Sequence, residues 1–347
     1  MKMTFRWYGE NDPVSLEKIR QIPGMTGIVS AVYDVRPGGV WSSESILSIK
    51  RRAVAAGLEF EVVESVPVSE DIKLGSEKAG EHIEAYKENI RRLGKAGIKC
   101  VCYNFMPVFD WLRSELEHMN PDGSNSLAYD EKTVLEMDPS RGDLSLPGWD
   151  ASYTKEGLKA LLDAYSGVSA EKLWDNLTRF LREVIPVAVE SGVNMAIHPD
   201  DPPWSMFGLP RIITCEENLE RLLETVPVKN NGLTFCTGSL GADPRNDLVK
   251  MAGRFAGRIH FAHLRNILIT GDRQFTEVGH PTSCGSLDMY GIVKSLAGNG
   301  FDGYVRPDHG RMIWGEKGKY GYGLYDRALG AAYLAGLFEA VERDMER

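Results

Sequence analysis

The sequence predicts a (β/α)₈ barrel on three observations. Short β-branched or aromatic runs alternate with longer amphipathic stretches along the whole chain. The alternation repeats eight times before an apolar-rich segment, "DRALGAAYLAGLFEAVERDM", closes the pattern. A doubly wound sheet shares the alternation, but it ordinarily carries a glycine-rich phosphate loop after its first strand, and "RWYGENDP" is not one.

In chain order, the first three strands are expected in "TFRWY" (4–8), "TGIVSAV" (26–32) and "EFEVVES" (59–65). Between the second and third, "SESILSIKRRAVAAG" has helical spacing, a Ser/Glu start that satisfies free first-turn amides, and a terminal glycine. The fourth strand, "KCVCYNF" (99–105), precedes a long insertion at 106–170 that is polar and turn-rich with only short helical patches. An insertion there lies on the face where active-site loops grow. The fifth strand is "NMAIHPD" (194–200) and the sixth "GLTFCTG" (232–238), with the helical "EENLERLLETV" between them. "IHFAHLR" (259–265) and "YVRPDHG" (304–310) complete the eight. The glycines of "WGEKGKYGYGLYDR" (314–327) permit motion and match no phosphate-binding spacing, so the segment reads as a lid or as a plain surface loop. No repeat, low-complexity tract or linker divides the chain, and one domain over 1–347 is expected.

Composition bounds the partners. With 347 residues, 43% of them hydrophobic, the chain can bury a large core. Its 49 acidic against 40 basic residues give a formal charge of −9, and no Lys/Arg block is present to track a phosphate backbone. Nucleic acid is therefore excluded as a partner. No apolar run reaches the roughly 18 residues that span a bilayer, and "MKMTFRWYGE" lacks the apolar core of a signal peptide. A cytoplasmic protein without membrane contact is expected. The five cysteines are odd in number and form no pair of CxxC motifs, which fits thiols in a reducing compartment. Association of outer helices into a homo-oligomer, taken as a dimer, is also expected.

The candidate site follows from what ends each strand. His198, Cys236, His263 and Asp308 end four consecutive strands, and Asp308 is followed by His309. Parity supports convergence, because His198 shares a strand face with Ala196 while Met195 and Ile197 point the other way. Cys236 likewise shares a face with Thr234 and opposes Leu233 and Phe235. Alone, a strand-end histidine is ordinarily a hydrogen-bonded structural residue, and a lone cysteine a small buried hydrophobe. Four potential ligands at equivalent positions on successive strands are hard to obtain from core packing. Two imidazoles and a carboxylate suit Mn²⁺, Fe²⁺, Co²⁺ or Zn²⁺, and a thiolate pulls toward the softer ions. A divalent transition ion is expected, with no organic cofactor.

Several fragments together carry a resemblance. "MKMTFRWYGENDPVSLEKIRQIPG", "CYNFMPVFDW", "AIHPDDPPW", "HFAHLRN" and "PDHG" followed by "GYGLYDRALG" resemble the mannonate dehydratase family of bacterial hexuronate breakdown, from the first strand to the last helix. The resemblance implies a xylose-isomerase-like barrel and conversion of D-mannonate to 2-keto-3-deoxy-D-gluconate and water, with Mn²⁺ or a similar ion such as Fe²⁺. It implies that His198, Cys236, His263 and Asp308 hold the metal. It puts the acid and base on His309 and on the tyrosine of "GYGL", Tyr322, without saying which is which.

That chemistry needs such groups. A proton must leave the weakly acidic carbon beside the carboxylate, and hydroxide must leave the next carbon. A divalent ion stabilises the developing charge. Arg6 and Arg265 are candidates to clamp the sugar carboxylate, Asn104 to meet a hydroxyl, and His280 to approach from its loop. Two other readings are open: a sugar isomerase or epimerase on the same barrel, which the thiolate ligand disfavours, and a non-catalytic sugar-acid or metal-binding protein.

Overall fold

The computed structural model describes residues 1–137, 139 and 155–346. Its strands, in chain order, are β1 (Lys2–Arg6), β2 (Met25–Ser30), β3 (Glu59–Glu64), β4 (Cys100–Tyr103), β5 (Glu115–Met119), β6 (Asn125–Asp130), β7 (Asn194–Ile197), β8 (Asn231–Cys236), β9 (Ile259–His263), β10 (Ile267–Gly271), β11 (Gln274–Glu277) and β12 (Tyr304–Arg306). Eight of them close a barrel in the order β1-β12-β9-β8-β7-β4-β3-β2, every neighbouring pair parallel.

Side-chain alternation divides two apolar clusters across the barrel wall. Val29, Val62, Cys100, Cys102, Ala196 and Phe261 fill the interior. Their alternates, among them Ile28, Val63, Val101, Met195, Ile197 and Phe235, join the larger core beneath the helices. The parity expected for Ala196 against Met195 and Ile197 is thus observed. The surrounding helices start where the chain supplies caps: Ser42 Oγ accepts from the Ser45 amide at the helix Ser43–Ala55, and Ser169 Oγ from Lys172 at Ala170–Glu190. No helix among the described residues is long and apolar enough to cross a membrane.

All eight expected barrel strands are present, but several end sooner. The segment expected as strand over 232–238 stops at Cys236 and turns into a short helix, Thr237–Leu240. The expected eighth strand stops at Arg306.

The insertion holds more than short helical patches. β5 and β6 pair antiparallel and join the β10–β11 hairpin in a second sheet of order β10-β11-β6-β5. Tyr129 on β6 stacks on Phe275 of β11, ring centroids 5.6 Å apart, and its hydroxyl accepts from Trp204 Nε1 at 3.0 Å. The sheet is thereby tied to the loop after β7. It also pins the loop after β12, since Asn125 and Met312 exchange backbone hydrogen bonds of 3.2 and 2.8 Å. Residues 138 and 140–154 of the insertion lie outside the described residues.

Candidate metal and proton-transfer site

The carboxyl ends of the barrel strands bring the expected ligands together. Cys236 and His263 are the last residues of β8 and β9, and His198 follows β7 directly. One donor atom from each of these three lies within 4.8 Å of the others. Asp308, two residues beyond β12, approaches the same point: its carboxylate is 3.6 Å from Cys236 Sγ and 3.8 Å from His263 Nδ1.

Electrostatics show that the set fits a cation. Burial would push the Cys236 thiol up, yet the Arg265 guanidinium and His198 outweigh it and bring the thiol down to about 5. His198 responds in the opposite sense. Burial lowers it, but the Cys236 sulfur and the Asp308 and Glu64 carboxylates raise it to about 9. The centre therefore stabilises a thiolate beside positive charge, a place that a divalent ion would suit. His198 Nδ1 donates to the Pro199 carbonyl at 2.7 Å, which leaves Nε2 free to face the cluster. A second grouping, Glu64, Cys102 and His263, is also compact, but burial and Glu64 hold the Cys102 thiol well above its usual range. A neutral thiol is a poor ligand. His263 Nε2, 3.5 Å from Glu64 Oε2, is buried without a hydrogen-bond partner, as a site built for a further ligand would leave it.

Beside this centre stands the pair expected to move protons. His309 Nε2 is 2.9 Å from the Tyr322 hydroxyl, and both residues are buried. Burial pushes the tyrosine hydroxyl up, against the pull of Arg306, so it keeps its proton. Trp111 packs on both rings, with centroids 5.0 Å from His309 and 6.4 Å from Tyr322. The glycine-rich segment needs no closure to deliver Tyr322. The pocket, about 190 Å³, is lined by these residues and by Arg6, Asn104, Arg306 and Lys319.

Two expected residues sit elsewhere. Arg265 is fully buried behind the candidate ligands and does not line the pocket. It pairs with Asp201 at 2.6 Å, with Asp308 at 2.8 Å and with Glu277. Its charge is already spent on three carboxylates, so it is not free to clamp a substrate. His280 is buried behind the last barrel strand, where Nε2 donates to the Pro307 carbonyl at 2.6 Å, and it does not line the pocket. Arg6 does line it, paired with Glu64 at 3.2 Å and lying over the Tyr8 ring. The Asn104 side chain lines it as well and accepts from the Met106 amide at 3.2 Å.

Sequence reasoning missed four charged groups: Arg306, Glu64, Lys319 and Glu277. Arg306 Nη2 bridges Glu64 at 2.9 Å and Asp308 at 2.7 Å, which with His263 hold Glu64 and Asp308 well below the usual carboxylate range despite their burial. Lys319 stands over Tyr8, 4.0 Å from the ring centroid. Glu277, from β11, accepts from His309 Nδ1 at 3.0 Å. Arg306 and Glu64 carried a local signal, as the charged strand-end residues of "YVRPDHG" and "EFEVVES".

Comparison with known proteins shows the family. The family described as D-mannonate dehydratase (UxuA) matches residues 1–347. Mannonate dehydratase 2 of Halalkalibacterium halodurans is 56% identical over 343 residues, covering 98% of this chain and 99% of that protein. Mannonate dehydratase of Streptococcus agalactiae serotype III is 55% identical over the same length and shares. The crystal structure of mannonate dehydratase from Streptococcus suis serotype 2 superposes with a TM-score of 0.92 at 48% identity, covering 100% of this chain and 95% of that one. D-psicose 3-epimerase from Clostridium cellulolyticum H10, at 15% identity and a TM-score of 0.58, shares the fold.

Proposed function

Because the chain belongs to the D-mannonate dehydratase family, we propose that it removes water from D-mannonate to give 2-keto-3-deoxy-D-gluconate, as a step of hexuronate catabolism. The observation that carries the reading is the His309–Tyr322 pair, hydrogen-bonded at 2.9 Å beside a thiolate, two imidazoles and a carboxylate that fit a divalent ion. In this reading His198, Cys236, His263 and Asp308 hold the ion, which we take as Mn²⁺, with Fe²⁺ second. When bound, the ion polarises the oxygens of the sugar acid beside the acidic carbon.

The residues of the chain do the rest. His309 and Tyr322 move one proton from C2 and one to the departing C3 hydroxyl. Arg6 and Asn104 offer donors and an acceptor to the polyol. Trp111, Tyr8 and the bound substrate exclude water from the pair, which keeps its hydrogen bond strong. A cytoplasmic dimer is the state in which we expect the enzyme to act.

Incubating metal-loaded protein with a panel of aldonates and aldoses, and assaying for 2-keto-3-deoxy acids, tests the reading. D-Mannonate should yield the keto-deoxy acid. Aldose–ketose interconversion or epimerisation without that product would replace dehydration by isomerase chemistry, and binding without turnover would leave a sugar-acid-binding protein.

A further inference from the structure

His309 makes one contact that the dehydration reading leaves without a role. Its Nδ1 lies 3.0 Å from each Glu277 oxygen. Glu277 ends β11, so the small sheet beside the barrel delivers a carboxylate to the barrel mouth. The residue is buried, at 2% exposure. Arg113, carried by the insertion, donates to Oε1 from Nη2 at 2.7 Å, and Arg265 donates to the same oxygen. Arg113 is itself fixed by Asp201, with two hydrogen bonds of 2.8 and 3.0 Å.

Two guanidiniums keep this carboxylate ionised, and an ionised carboxylate only accepts. Nδ1 therefore carries a proton. In the neutral imidazole Nε2 is then an acceptor, and the 2.9 Å contact runs from the Tyr322 hydroxyl to Nε2. Arg265 Nη1 also lies 3.2 Å from Nδ1. That is an approach of two donors, drawn together because both give their hydrogens to Glu277.

We propose that Glu277 is a positioning residue for the dehydration: it holds His309 in the Nδ1–H form, so that Nε2 takes the C2 proton and Tyr322 protonates the departing C3 hydroxyl. The inference rests on the dehydratase reading above and assigns the two roles which that reading leaves open. The step balances. The C2–H bond breaks with its proton going to Nε2, its electron pair forms the C2–C3 double bond, and the C3–O bond breaks. The hydroxide takes the Tyr322 proton and leaves as water. The proton on Nε2 then returns to the Tyr322 oxygen across their hydrogen bond. The enol product becomes the 2-keto acid by moving its C2 hydroxyl proton to C3, so the enzyme ends as it began.

Glu277→Gln in the metal-loaded enzyme is the direct test. With both arginines donating to the amide oxygen, the amide NH₂ faces Nδ1 and selects the opposite tautomer. We expect kcat to fall on the order of a hundredfold or more, with KM for D-mannonate and metal content within about threefold of wild type. The double variant Glu277→Gln/His309→Asn should be no slower than His309→Asn alone, because one residue acts through the other. Should Glu277→Gln fail to fold, Glu277→Asp keeps the charge between the arginines but shortens the reach to His309, and its kcat should fall about tenfold or more. Near-wild-type kcat in either single variant, or fully additive losses in the double, overturns the proposal. An active His309→Asn enzyme would instead remove the dehydratase assignment of His309, whatever happens at Glu277.

Discussion

Asp308 and His309, neighbours in the chain, line one pocket because Asp308 takes the left-handed backbone, with φ 61°. Successive residues of an extended strand point to opposite sides. The bend that reconciles them falls on the aspartate itself and not on the following Gly310, and aspartate tolerates this region better than most residue types. Gly310 serves closeness instead: a Cβ there would stand 3.0 Å from the Arg327 backbone nitrogen and Cγ. The left-handed turn leaves Asp308 facing Cys236 and His263 while His309 reaches Tyr322 and Glu277.

The thiolate and imidazole at adjacent strand ends predict linked losses. Cys236→Ser replaces a thiol brought down to about 5, and so ionised at neutral pH, by a hydroxyl that stays protonated, and His198→Ala removes a donor outright. Each variant should lose metal content and activity together, while its far-ultraviolet circular dichroism stays that of a folded barrel. Full metal occupancy with full turnover in either variant would remove that residue from the ligand set.

Arg265 distinguishes a structural cation from a substrate clamp. It is buried against Asp201, Glu277 and Asp308, so Arg265→Met strands three carboxylates. Breaking a buried pair of this kind costs about 3–5 kcal/mol, which should appear as a clear drop in the denaturant midpoint. A raised KM for D-mannonate with an unchanged midpoint would restore the arginine to substrate binding.

Lys319 lines the pocket with no carboxylate in ion-pair contact among the described residues. Burial, and then Arg6, lower its amine to about 8. Its charge is therefore present below pH 8 and lost above it, so attraction for a sugar carboxylate should weaken as pH rises through that value. KM for D-mannonate should climb above pH 8 in the wild type. Lys319→Met should start from a higher KM at pH 7 and show a flatter rise. Identical KM profiles for the two proteins would exclude this contribution.

The barrel and the convergence of its strand-end residues were legible because both follow local rules. β-Branched runs such as "GIVS" and "FEVV" mark strands, and alternation decides which of Met195, Ala196 and Ile197 faces inward. Strand-end residues then converge by topology alone. The second sheet was not legible. "ELEHM" is short, charged and mostly exposed, so it reads as a loop until β6 pairs with it. Nor could the sequence show that Arg113 and Glu277, 164 positions apart, meet around Arg265 and His309. Buried ion-pair networks have no local periodicity, and the same fact misplaced Arg265 at the substrate.

Metal content measured beside kcat for Asp308→Asn and His309→Asn tests the division of labour most directly. A neutral amide is a weaker ligand than a carboxylate, so Asp308→Asn should lose metal and recover part of its activity when metal is added. His309→Asn should keep its metal and bind D-mannonate nearly as tightly, yet lose on the order of a hundredfold or more in kcat. A fully metallated and fully active Asp308→Asn enzyme, or an active His309→Asn enzyme, would contradict the account.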